Sequence, residues 1–438
     1  MGAAFASPVV FAQASDPALR EIVEQNRLLV EQVKAQQRTI DALAAKVTDL
    51  QKTGDRHDEQ LRSLRDGRAE ADPGRGAAPE RDRSHEVRVS GEVGVAFLHT
   101  GRAGSFPNSE FRLDDAKIAI EAAVVKDVYF YSEVLLSSRE ADADYIELGE
   151  VYADFENVSG RVGGPPRLLS LRAGRLFVPY GEEYQRRGPI ANPLISHSLA
   201  DTWGYCPGVE AYGSTGAWDY VVAVQNGGVN PLHDFNADKA VAARVAWAPA
   251  AWLRVSGNAM RTGELKVGAD PVPGDFLSGQ WFGNGFFRSI GGAKTTSTFW
   301  ASLWEGNARA SGRAGSLAAA VGGVRYGDND RAANNARSMR YGSVEGVAGG
   351  HDGFFGATRF SWIDAPRGYP LVGWGNFGRY FFAPPLTETL QRLSVGFGYR
   401  WGDPLVLKLE YARERGHLVN GTARDQEDFF GAAAAVKF

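Results

Sequence analysis

The chain has 438 residues, with 53 glycines, 11% aromatic residues, one cysteine and a formal net charge of −4. A single cysteine excludes an intrachain disulfide framework, the lack of any apolar run of about 18 residues excludes a transmembrane helix, and the near-balanced charge gives no support to a nucleic-acid partner. The length suits either two or three soluble domains or one large barrel. The mildly negative mean hydropathy fits a barrel whose strands turn one face to water.

Residues 1–14 (MGAAFASPVVFAQA) carry a short apolar run and the small-x-small end Ala12-Gln13-Ala14 before Ser15. This is the back half of a secretory signal, without its basic front. Export suits the lone Cys206, since a chain with few thiols avoids mispairing in an oxidising compartment. Residues 15–66 follow with a seven-residue repeat. Leu19, Asn26, Val33, Ile40 and Val47 form one set, and Ile22, Leu29, Gln36, Leu43 and Leu50 the other. Spacings of three and four alternate, which predicts an α-helical coiled coil in the periplasm. Ser15-Asp16-Pro17 is its start. The repeat breaks at Gly54 and His57 and resumes at Leu61 and Leu64. Residues 67–86 are rich in Gly, Pro, Ala and charge and read as a flexible linker.

From Val87 the period becomes two. Val87, Val89, Val93, Val95 and Phe97 alternate with Arg88, Ser90, Glu92 and Gly94, and the pattern recurs to the last stretch, where Phe430, Ala432, Ala434, Val436 and Phe438 share one parity. We count 16 strands over residues 87–438, with a register left open in the Gly- and Ala-rich pair near 295–327. The fold class predicted is an all-β membrane barrel of about 16 antiparallel strands behind an N-terminal coiled coil. Short turns near 126, 158, 214, 249, 310, 350 and 402 alternate with long loops near 100, 140, 180–206, 227, 263–294, 328, 364–389 and 415. That asymmetry belongs to outer-membrane barrels, with short turns in the periplasm. A soluble sandwich has no need of it. The last strand should close the barrel against the first.

Sixteen strands enclose a lumen too wide for wall side chains to fill. The connection after the fifth strand, Val178 to Pro207, reads as the longest loop and the one that narrows it. It carries Tyr180, Glu182, Glu183, Tyr184, Arg186 and Arg187. Adjacent arginines beside carboxylates can line a constriction and set a transverse field. Parity turns Arg88, Arg172, Arg244, Arg254, Arg359, Arg400 and Lys408 away from lipid, with Glu92, Glu121, Asp154 and Glu410, because a charge facing mid-bilayer is costly. The basic excess in that group points to anions. The arginine bias suits carboxylate or phosphate, and equally a high-GC genome.

Seven histidines show no metal-ligand spacing, and no phosphate-cradling Gly-rich loop is present. His197, Ser198 and Asp201 on one loop are polar neighbours rather than a nucleophile set. No cofactor, metal site or enzymatic activity is expected.

The segments Arg172–Gly181 (RAGRLFVPYG), Pro207–Gly213 (PGVEAYG) and Val221–Gly228 (VVAVQNGG) resemble the family of phosphate-selective porins O and P. The resemblance covers residues 87–438, and a coil before the barrel also occurs in related trimeric porins for small carboxylates. It implies a homotrimer of 16-stranded barrels in the outer membrane of a Gram-negative bacterium, an inward-folded third loop, and passive diffusion of small hydrophilic solutes, anions such as phosphate or carboxylates among them. Glu182 and Glu183 depart from a purely basic constriction. A second reading takes the barrel as an anchor that tethers the envelope through its periplasmic coil.

Overall fold

The computed structural model describes residues 86–438 apart from 139–145, 203, 228–233, 235–236, 268–295, 331, 333, 351 and 382–384. The expected signal, coiled coil and nearly all of the linker lie outside the described residues.

Sixteen long strands run in sequence order around one closed sheet. They are β1 Val87–Thr100, β2 Glu110–Val125, β3 Val128–Ser137, β4 Glu147–Phe155, β5 Ser170–Phe177, β6 Tyr205–Thr215, β7 Trp218–Gln225 and β8 Ala240–Ala250. The second half comprises β9 Leu253–Arg261, β10 Thr298–Gly312, β11 Gly315–Asp328, β12 Arg337–Gly349, β13 Gly353–Tyr369, β14 Thr387–Trp401, β15 Leu405–Leu418 and β16 Phe429–Lys437. Two-residue extensions at Leu265–Lys266 and Ala423–Arg424 pair with β10 and β15. Every neighbouring pair is antiparallel, and β16 pairs with β1 in the register Val95↔Ala434 and Phe97↔Ala432. The ring has no free edge, which is the condition for strands to face hydrocarbon.

The alternation has a physical sense opposite to that of a soluble sheet. Val95, Leu317, Val395 and Leu409 are 46–57% exposed on the outer face. Inward residues of the same strands, Ala96, Arg392, Lys408 and Glu410, are buried. An exterior this apolar around a polar interior is a membrane-facing surface. At the closing seam the small Ala432 and Ala434 leave an apolar groove of about 550 Å³ on that surface, flanked by Phe97, Phe354, Phe397 and Leu409.

Both ends of the barrel chain lie on one side, with the turns 126–127, 216–217, 251–252, 313–314 and 402–404. The link between β4 and β5 on that side holds a one-turn helix, α1 (Val158–Arg161). Gly402 takes φ +61 in its turn, where a side chain would be strained. The other side carries the described parts of the connections after β1, β5, β9, β11 and β13. Connection 262–297 is longer than the loop after β5, so length did not single out that loop. Strands β13 and β15 also continue past the expected ends, to Tyr369 and Leu418.

Candidate functional site in the barrel lumen

The 178–204 loop starts and ends at one point, where Val178 N donates to Gly204 O at 2.9 Å. A single 3-10 turn spans Glu183–Arg186. Beyond it the path folds through a turn, closed by Asn192 N donating to Gly188 O at 2.9 Å, with Pro189 inside it and Pro193 just after it. Apolar residues hold that path inside the barrel. Ile195 is fully buried among Ala96, Leu98, Trp374 and Phe429, and Tyr180 and Leu199 pack with Phe299, Tyr326, Tyr341 and Ile363.

Polar anchors tie the loop to the opposite wall. Glu410 of β15 accepts from the amides of Ile195 (2.6 Å) and Ser196 (2.7 Å). Lys408 Nζ donates to the carbonyls of Pro189 (2.8 Å), Asn192 (3.2 Å) and Leu194 (2.9 Å). Arg359 of β13 donates to Ser196 O at 2.7 Å, to Asn192 Oδ1 at 2.9 Å and to Glu345 of β12 at 2.9 Å. Arg392 of β14 reaches His197 O at 3.0 Å while paired with Glu414 at 2.7 Å. Glu92 of β1 accepts from Ile190 N. A buried loop backbone must have such partners.

The predicted loop residues divide by role. Tyr180 is buried and shares a hydroxyl contact of 2.9 Å with Tyr341, which donates to Glu305 at 2.8 Å. Burial pushes the Tyr180 and Tyr184 phenols up. Tyr184 accepts from Arg244 at 2.7 Å. Glu182 lies 3.8 Å from both Arg244 and Arg254. Glu183 accepts from the amide and hydroxyl of Ser198. Arg186 pairs with Glu345 at 3.2 Å, and Arg187 with Asp201 at 2.6 Å.

Of the predicted wall cations, the structure brings Arg244, Arg254, Arg359 and Lys408 to the loop. Arg172 stays on the wall, paired with Asp154 at 2.7 Å and Glu210 at 3.4 Å. Arg88 is exposed at the barrel end and paired with Glu86, and Arg400 lies over the Phe355 ring. Parity placed both on the inner face but gave no height along the strand. Glu305, Arg309 and Glu345 were not singled out. Each sits on an inward strand position, and Glu305 and Arg309 lie on the strand whose small residues blurred the register.

Two polar cavities flank the loop. One, about 220 Å³, lies against β9–β13 and is lined by Glu182, Glu183, Glu305 and Glu345 and by Arg186, Arg254, Arg309 and Arg359. Its formal charges balance. The other, about 360 Å³, lies against β1–β5 and holds Glu92, Asp115, Glu133 and Glu150 beside Lys117 and Arg187. Gln185 lines both. Asp201 is buried next to Arg187, and desolvation raises its carboxyl to about 6 despite that neighbour, with Glu183 adding to the rise. No cluster of metal-binding side chains is found among the described residues.

No protein-family model and no curated protein matches the chain. Solved structures do match. The outer membrane channel DcaP of Acinetobacter baumannii is 13% identical, with a TM-score of 0.54 over 81% of this chain and 98% of that one. A trimer form of OmpT, an outer membrane protein of Vibrio cholerae, gives 11%, 0.52, 81% and 100%. An anion-selective porin from Comamonas acidovorans gives 9%, 0.51, 81% and 100%. At these identities the likeness is one of fold. What this chain shares with these outer-membrane proteins is the barrel itself, here closed from 16 antiparallel strands.

Proposed function

We propose that the protein is a porin of the outer membrane through which small hydrophilic solutes diffuse passively. The observation that carries this reading is the loop 178–204, held across the lumen by buried wall charges with a polar cavity on either side. A lumen narrowed this way admits solutes by size and by fixed charge. The loop, with Tyr180, Glu182, Glu183, Tyr184, Arg186 and Arg187, is the constriction, and solutes pass beside it through the two cavities that adjoin at Gln185.

The finer reading is a preference for anions such as carboxylates or phosphate. Arg186, Arg254 and Arg309 are the cations such a solute meets. The four carboxylates beside them keep the preference modest and argue against a strict phosphate filter of the kind found in phosphate-selective porins O and P. The functional unit is a homotrimer, each barrel with its own pore, and the apolar groove beside Ala432 and Ala434 faces a neighbouring subunit. The coil expected over residues 15–66 serves trimer assembly on the periplasmic side.

Planar-bilayer recording on the purified full chain tests the reading. Stepwise ion currents are expected, with a reversal potential on the anion side in a salt gradient. A silent bilayer removes the channel, and a reversal potential on the cation side removes the anion preference alone.

A further inference from the structure

On the outer face near the loop-bearing end, four side chains form a row across four adjacent strands. Arg261 of β9 is in register with Ser302 of β10, Ser302 with Arg325 of β11, and Arg325 with Ser338 of β12. All four are exposed. The residues beside them along each strand, Met260, Leu303, Val324 and Met339, are buried inside the barrel, so the row faces outward. Arg340, also exposed, sits two residues from Ser338 on β12.

Strands about 4.8 Å apart put Arg261 and Arg325 roughly 10 Å from each other, within reach of one anionic head group. Arg261 has Asp238 at 4.0 Å. Arg325 and Arg340 make no hydrogen bond or ion pair with other described residues. Toward mid-barrel the same face turns apolar at Trp304, Val321 and Val344. The guanidinium–hydroxyl row therefore stands at the upper border of the membrane-facing band, where lipid phosphates lie. Arginine forks bind phosphate oxygens in pairs, and basic residues at a membrane surface attract anionic lipids.

We infer that Arg261, Ser302, Arg325, Ser338 and Arg340 form a binding site for the phosphate groups of a phosphorylated glycolipid of the outer leaflet. The inference rests on the outer-membrane reading. Binding is measured without reference to conductance, so either can fail alone.

The test uses the purified full chain in neutral detergent micelles, with bisphosphorylated lipid A and its dephosphorylated form as probes. The phosphorylated lipid should bind and the dephosphorylated lipid should bind at least about tenfold more weakly. The R261Q/R325Q/R340Q variant should lose a similar factor. Ser302→Asp with Ser338→Asp, which keeps the arginines but neutralises them, should do the same and covers a variant that fails to fold. Millimolar inorganic phosphate should not displace the lipid. Equal binding of both lipids, unchanged binding by either variant, or displacement by inorganic phosphate each overturns the site as a lipid site.

Discussion

The amide of Ser196 donates to Glu410 Oε2 at 2.7 Å, joining the middle of the inward loop to a wall strand 214 residues further along the chain. The Ser196 hydroxyl reaches the other oxygen of the same carboxylate, and the Ile195 amide shares Oε2. Glu410 is 2% exposed, so none of these donors finds water if the carboxylate is removed. Glu410→Ala should leave the barrel's strand ladder intact and destabilise the loop by about 1–3 kcal/mol for each orphaned donor. The check is single-channel recording. Open-channel noise and mean conductance should both rise, and a variant with wild-type current traces would show that the loop is held elsewhere.

Arg359 and Glu345 make the second anchor, at 2.9 Å between adjacent strands. Both are buried. Arg359→Met strands the Glu345 carboxylate and frees the acceptors on Ser196 and Asn192. Removing one member of a buried pair is destabilising by about 3–5 kcal/mol. The value here should fall near 3 kcal/mol, since Arg186 still reaches Glu345. Adding Glu345→Gln should restore part of the loss. Thermal unfolding of the single and double variants measures it.

The outer face of this barrel was legible because it needs only a period of two. Leu393, Val395, Phe397, Tyr399 and Trp401 against Gly396, Gly398 and Arg400 leave one parity for lipid. The signal fades where both faces are small, as at Ala308, Ala310 and Ala318–Ala320, and Glu305 and Arg309 were lost with it. The inward loop was legible through its prolines, aromatics and paired charges. Its anchors were not. Tyr180 meets Tyr341 across 161 positions, and a strand pattern gives a residue's face without its height or its partner. The 370–386 loop is a similar case. Its Trp374 stacks on Phe429 at 3.9 Å and donates its amide to Glu414, contacts set by closure of the ring.

Arg254 and Arg309 are in register on β9 and β10 and line the cavity beside Glu182. Replacing both with Gln removes two positive charges and leaves Asp219, now paired with Arg254 at 2.6 Å, without its partner. At about 4 Å in water a unit charge is worth roughly 1 kcal/mol, so the ratio of cation to anion permeability should rise by about fivefold at low salt. Screening should shrink the change in molar salt. Reversal potentials at the two salt concentrations decide it, and an unchanged ratio would mean that solutes pass through the other cavity.

Asp201 should give the proposed channel a pH dependence with a definite sign. Its Oδ2 accepts from Arg187 at 2.6 Å and lies 3.5 Å from His197 Nδ1, and Oδ1 has no hydrogen-bond partner among the described residues. Burial raises its pKa from 3.8 to about 6, against Arg187 and with Glu183. A carboxyl raised on folding contributes stability that is fully present below its unfolded pKa and lost as pH rises through the folded one. This group therefore favours the folded loop more at about pH 4 than at about pH 7. Below about 6 the loop also carries one negative charge fewer. Lowering the pH from about 7.5 to about 5 should shift the reversal potential toward anions, with a midpoint set by this carboxyl. Asp201→Asn keeps an acceptor for Arg187 and cannot titrate. It should hold the low-pH selectivity across the whole range, whereas a midpoint that survives the substitution would mean that Asp201 is not the titrating group.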